Sequence, residues 1–203
     1  MLNQRMVIAV LVSISALLLL APHASPQQPI RPVPMTPFAD GENSILNENL
    51  EYRVGDTKFT IVVPKGFVTD FASTPRAIWA VLPPAAAYQL AAIVHDFLYW
   101  DQGCTREQAD ALLRVAMAES KVDAFKRDII WRAVRNFGQG PWTSNAREKG
   151  EGQPRVIPTN LLSIPPLMTW AEYRAQLFTK GVKAAPTPQT TPDYCDSAKF
   201  VKF

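Results

Sequence analysis

The sequence predicts an α+β domain, a small β-hairpin or sheet followed by a bundle of three main helices with a buried central helix. Three observations carry this expectation. Residues 51–54 and 58–63 are short β-branched or aromatic runs on either side of Gly55-Asp56-Thr57, a hairpin signal. Residues 85–100, AAAYQLAAIVHDFLYW, are apolar on nearly every side, and a helix without a solvated face is normally wrapped by the rest of its domain. Two later segments, near 105–119 and 122–137, repeat apolar residues at helical spacing.

The chain has 203 residues, 47% apolar and 19% charged, which suits one globular domain with tails. Its 21 basic and 18 acidic residues leave a net charge of +3 with no basic block, which argues against nucleic acid as a partner. Arg5 followed by the apolar run 7–21 reads as a signal peptide, residues 1–24, cleaved after Ala24. That run is shorter than the roughly 18 apolar residues of a membrane-spanning helix, with an uncleaved anchor as the alternative. The mature protein is therefore expected to be periplasmic or secreted. In an oxidising compartment Cys104 and Cys195 would either pair as a disulfide or persist as two free thiols.

In chain order, residues 25–46 open with Pro26, Pro29, Pro32, Pro34 and Pro37 and read as a proline-rich linker. After the hairpin, Pro64-Lys65-Gly66 turns the chain into FVTDFASTPR. There Ser73 or Thr74 would cap a brief helix with Pro75 at its first position, ending near Leu82. The central helix stops at Asp101-Gln102-Gly103, and Thr105 with Gln108 forms a capping box for the second helix. Ala109, Leu112, Leu113, Ala116 and Met117 form its apolar stripe. The third helix, 122–137, is expected to turn Phe125, Ile129, Ala133 and Phe137 inward and Lys126, Arg127, Arg132 and Arg135 outward. Gly138 and Gly140-Pro141 would end it. Residues 47–142 thus read as the globular domain and 143–180 as an irregular extension. That extension carries one short helix, opened by the Thr169–Glu172 capping box. Residues 181–203 read as a flexible tail. Nothing in the pattern favours a monomer over a dimer.

His95 is the one histidine left once residues 1–24, which hold His23, are removed; a zinc hydrolase of the ordinary kind needs more ligands than that. A lone histidine acts as a general base when a carboxylate orients it through its other ring nitrogen. Asp110 is the candidate orienter, because the helices on either side of the short turn at 101–104 run antiparallel and bring it level with His95. Asp96 points about 100° away around the helix, towards a wall that Asp70 can also reach. Two carboxylates with loop oxygens are what a hard cation such as Ca²⁺ takes, and Ser73 and Thr74 would add oxygen donors. Each residue also has a purely structural reading. His95 and Asp96 would be a hydrogen-bonded strut with Arg76 or a backbone group as third member. Asp110 would pair with Arg106 or Arg114 on its own helix, and Asp70 would be a turn residue. Tyr99 would lie in the core with its hydroxyl on a carboxylate.

The segments DFASTPRAIWAVLPP, VHDFLYW, TREQADALLRVAM and WRAVRNFGQGPW, in this order over roughly residues 54–142, resemble a family of phage and bacterial proteins catalogued as domain of unknown function 1353. That resemblance implies membership and no activity. Locally, His95-Asp96-Phe97-Leu98-Tyr99 is similar to the His-Asp-x-x-Tyr helix of secreted bacterial and fungal phospholipases A2. This second resemblance implies His95 as base, Asp96 as a calcium ligand, Asp110 as orienter and Asp70 as an upstream calcium ligand. The cysteines that bracket this motif in many of those enzymes, and their glycine-rich calcium loop, are absent. The expected function is an exported, envelope-associated protein, a Ca²⁺-dependent His–Asp hydrolase of lipid or another ester. The alternative is a non-enzymatic, prophage-derived module that binds an envelope or virion component.

Overall fold

The structure, a computed structural model, describes residues 31–71 and 86–201. The expected signal peptide, the brief helix after Pro75, and the candidate site residues Ser73 and Arg76 lie outside them.

The fold is α+β. Three short strands, β1 (Met35–Pro37), β2 (Ser44–Leu46) and β5 (Val68–Thr69), make an antiparallel sheet in the order β1-β2-β5, while β3 (Leu50–Arg53) and β4 (Thr60–Val63) form the expected hairpin. The hairpin alternates strictly: Leu50, Tyr52, Ile61 and Val63 are buried, whereas Glu51, Arg53, Thr60 and Val62 face out. The three-stranded sheet was not expected, since β1 and β2 fall in the stretch read as a proline-rich linker. Its residues divide between two cores. Leu46 and Phe67 face the main core with the helices, while Ile45 and Val68 join Phe38, Ile157, Trp170, Tyr173 and Leu177 in a second one. A burial demand on both faces overrides the proline count of the segment.

Helix α1 (Ala86–Asp101) is the buried central helix, with Leu90 through Asp96 and Leu98 through Trp100 all withdrawn from solvent. Gln102, at a left-handed φ of +56°, ends it. Helix α2 (Arg106–Glu119) opens with the expected capping box of Thr105 and Gln108 and buries Ala109, Leu112, Leu113, Ala116 and Met117. Helix α3 (Ala124–Phe137) corrects the expected stripe. Its buried residues are Ile130 and Val134, whereas Phe125 and Phe137 are 73% and 66% exposed. The aromatic residues suggested one inward face; the packing against α2 selects the aliphatic one beside it.

The chain does not lose its pattern after Trp142. Helix α4 (Gln139–Gly150) follows α3 directly and packs on α1. Pro141 sits in its first turn, where a missing N–H breaks no intrahelical bond. Gly138, read as a stop, keeps a right-handed conformation at φ −70°. A methyl group there would collide with the Tyr99 hydroxyl and the Val134 carbonyl oxygen. The glycine is needed for close approach and not for a turn.

Helix α5 (Trp170–Thr179) has the expected Thr169–Glu172 capping box. In the stretch read as a flexible tail, Asp193–Phe200 is instead 3-10 helical and packs on α2. Cys195 there forms a disulfide with Cys104, in the turn between α1 and α2, which settles the choice between disulfide and free thiols.

Two variants check this packing. Gly138→Ala should lower the unfolding free energy by about 1–3 kcal/mol, the usual cost of overpacking, as measured by urea denaturation. Replacing Cys104 and Cys195 together by Ala should cost about 2–4 kcal/mol in the same assay, because the cross-link restricts the unfolded chain over a sequence separation of 91 residues. Reducing agent should then destabilise the parent protein but leave the double variant unchanged.

Candidate functional site

Helix α1 carries two polar networks side by side in the core, one on His95 and one on Asp96. Both residues are nearly inaccessible, at 2% and 1% exposure. Successive helical positions differ by about 100°, so the two side chains meet different neighbours.

His95 meets α2. Its Nε2 lies 3.0 Å from Oδ1 of Asp110, itself 0% exposed. The same oxygen accepts the Tyr99 hydroxyl at 2.7 Å. The other carboxylate oxygen faces two guanidinium groups, Arg106 at 3.2 Å and Arg135 at 3.4 Å. Tyr99 lies one helical turn beyond His95, and their rings are 4.1 Å apart between centroids. Burial and its bond to Asp110 push the Tyr99 phenol above its ordinary range, so that it stays a donor. With Tyr99, Arg106 and Arg135 all donating to it, Asp110 is the acceptor of this network. In the tautomer that donates from Nε2 to Asp110, the His95 lone pair sits on Nδ1. No partner engages Nδ1 among the described residues.

Asp96 meets the loop after β5. Its Oδ2 accepts the Thr69 hydroxyl at 2.6 Å, and it shares a hydrogen bond with Asp70. Arg155 lies 3.5 Å from Asp70 and is anchored by its bonds to the Val68 carbonyl oxygen at 3.0 Å and to Asn145 of α4 at 3.1 Å. Burial, and then the neighbouring charge of Asp70, push the Asp96 carboxyl up to about 7, although Arg155 and Thr69 oppose the rise. Asp96 and Asp70 thus share a hydrogen bond, with the Arg155 guanidinium beside the pair. Among the described residues no group of three or more His, Cys, Asp or Glu side chains is arranged to hold a metal ion.

The structure therefore brings together His95 with Asp110, Asp96 with Asp70, and Tyr99 with Asp110. The two readings of Asp110 turn out to be compatible, since it binds His95 and Arg106 at once, while Arg114 pairs with Asp128 at 2.8 Å. Three participants escaped the sequence reading. Arg135 counted as solvated surface, and only the one-step rotation of α3 turns it towards Asp110. Thr69 was passed over beside Asp70. Arg155 comes from the segment after α4, where no periodicity marked it.

Fold and networks together define a small α+β domain organised around a buried His-Asp-x-x-Tyr helix. Residues 45–134 match the model of a family described as "Protein of unknown function (DUF1353)". The resemblance of the four segments is thus to that family, over the stretch that holds Asp70, His95, Asp96, Tyr99 and Asp110. Comparison with curated proteins found no match, and comparison with solved structures found none.

The raised Asp96 pKa has a signed consequence for stability. Between about pH 4 and pH 7 the folded state keeps a proton that the unfolded state has lost, so this group's contribution to stability falls as pH rises through that window. Asp96→Asn, which retains the shape and cannot ionise, should become progressively more stable relative to the parent between pH 4 and pH 7 in denaturant titrations. Curves that stay parallel over the whole window would show that Asp96 titrates as an ordinary carboxylate.

Proposed function

We propose that this chain is an exported hydrolase of lipid or another envelope ester, with His95 as its general base. The observation that carries the reading is the buried pair of His95 Nε2 and Asp110 Oδ1, 3.0 Å apart. With Nε2 donating to Asp110, the lone pair of His95 falls on Nδ1. Tyr99, Arg106 and Arg135 hold the orienting carboxylate in place. In this reading Nδ1 takes a proton from a water molecule as its oxygen attacks the ester carbonyl carbon. The imidazolium then returns that proton to the departing alkoxide, so alcohol and carboxylic acid leave and the base is restored. The local similarity of residues 95–99 to the phospholipase A2 helix supports lipid as the substrate class. The signal-peptide reading of residues 1–24 supports a periplasmic or secreted location.

Asp70 and Asp96 are the residues that would hold Ca²⁺. Their donor set is all oxygen, with the Thr69 hydroxyl beside it, which is the chemistry a hard cation takes. Bound there, the ion would supply positive charge for a developing oxyanion.

The burial of His95 favours a second reading, a prophage-derived module for an envelope or virion component in which the dyad stiffens the core. Release of fatty acid from phospholipid vesicles by the mature protein, with Ca²⁺ and with chelator, separates the two. The hydrolase reading expects turnover that falls at least about 100-fold in His95→Gln, the scale of general-base catalysis. Parent and His95→Gln that are equally inactive or equally active would remove it. The strut reading instead expects no turnover and a loss of about 1–3 kcal/mol of stability in His95→Ala.

A further inference from the structure

A cavity of about 310 Å³ lies on the side of α1 turned away from His95, between the hairpin, α1, α4 and the chain after α5. Phe97 and Trp100, which line it, sit about 200° and 140° around the helix from His95. Val62, Pro64, Val156 and Ala184 continue the apolar wall. One polar group inside it is unusual. The Lys149 side chain, on the last turn of α4, is only 6% exposed and lines the cavity. Its ammonium has three N–H donors and places one, at 2.7 Å, on the Asp101 carbonyl oxygen. The Asp101 carboxylate stands at 3.9 Å, too far to accept a second. No other acceptor engages Lys149 among the described residues.

A buried ammonium with donors to spare is costly unless an acceptor reaches it. Asp101 also lines the cavity, so its apolar walls close on two ammonium groups, Lys149 and Lys183, and one carboxylate, at the small end of the volumes used for ligands. A sugar or another polyol would leave its hydroxyls unpaired against the wall, and two ammonium groups against one carboxylate favour an anion over a cation. Lys183, exposed at the rim, adds a second positive charge at the entrance. We propose that this cavity binds a medium-chain carboxylate, its head on Lys149 and its chain against Val62, Phe97, Trp100 and Val156. The site stands on its own residues and does not depend on the hydrolase reading of His95.

Isothermal titration of the mature protein with octanoate, octan-1-ol and acetate tests the assignment. Octanoate should bind, acetate should not, and octan-1-ol should bind at least about tenfold more weakly, the scale of a lost charge-assisted hydrogen bond. Lys149→Met should erase the preference for octanoate over octan-1-ol. Val62→Trp, at a position 44% exposed and so tolerant of size, should block both ligands with Lys149 intact. His95→Gln should bind octanoate as the parent does. Absence of octanoate binding, or equal octanoate binding by the parent, Lys149→Met and Val62→Trp, would overturn the proposal.

Discussion

A carboxylate sealed from water must be met by donors or it destabilises the fold that seals it. Asp110 is such a group, and its four donors come from three helices: His95 and Tyr99 from α1, Arg106 from its own α2, Arg135 from α3. They converge only if the helices adopt one relative rotation and one height. Apolar packing tolerates slippage more easily than this does, because a misplaced Leu still touches something, whereas a misplaced guanidinium leaves a charge unpaired. Gly138 belongs to the same constraint, as its missing side chain lets the start of α4 pass over the Tyr99 hydroxyl.

One residue further along α1 the opposite regime holds. Asp110 is met by four donors, while Asp96 faces another carboxyl, with Arg155 beside the pair. One helix thus serves a carboxylate met by four donors and, through the next residue, a carboxyl that holds a proton near neutral pH. Environments that differ in this way are a usual means by which a single fold separates a structural charge from a responsive one.

The parts legible in the sequence were those whose cause is local. The hairpin follows from alternation around Gly55, and α2 and α5 follow from capping boxes that the structure reproduces bond for bond. The pairing of His95 with Asp110 was legible because a short turn forces two helices antiparallel. What escaped depends on distant partners. Met35–Pro37 becomes a strand only because Ser44–Leu46 and Val68–Thr69 are there to pair with it. The inward face of α3 is chosen by α2, not by its own phenylalanines. Helix α4 was hidden because glycine and proline are read as breaks, although here one supplies clearance and the other occupies a harmless first-turn position.

Arg155 reaches back from beyond α4 to the loop that carries Asp70, and Lys149 of α4 donates to the Asp101 carbonyl oxygen at the end of α1. Both lie outside the family match at residues 45–134. The stretch that the family model matches and the stretch that supplies these contacts are therefore not the same length. Cut at residue 134, the piece would keep the two neighbouring carboxyl groups and lose the guanidinium beside them, along with the second layer on α1.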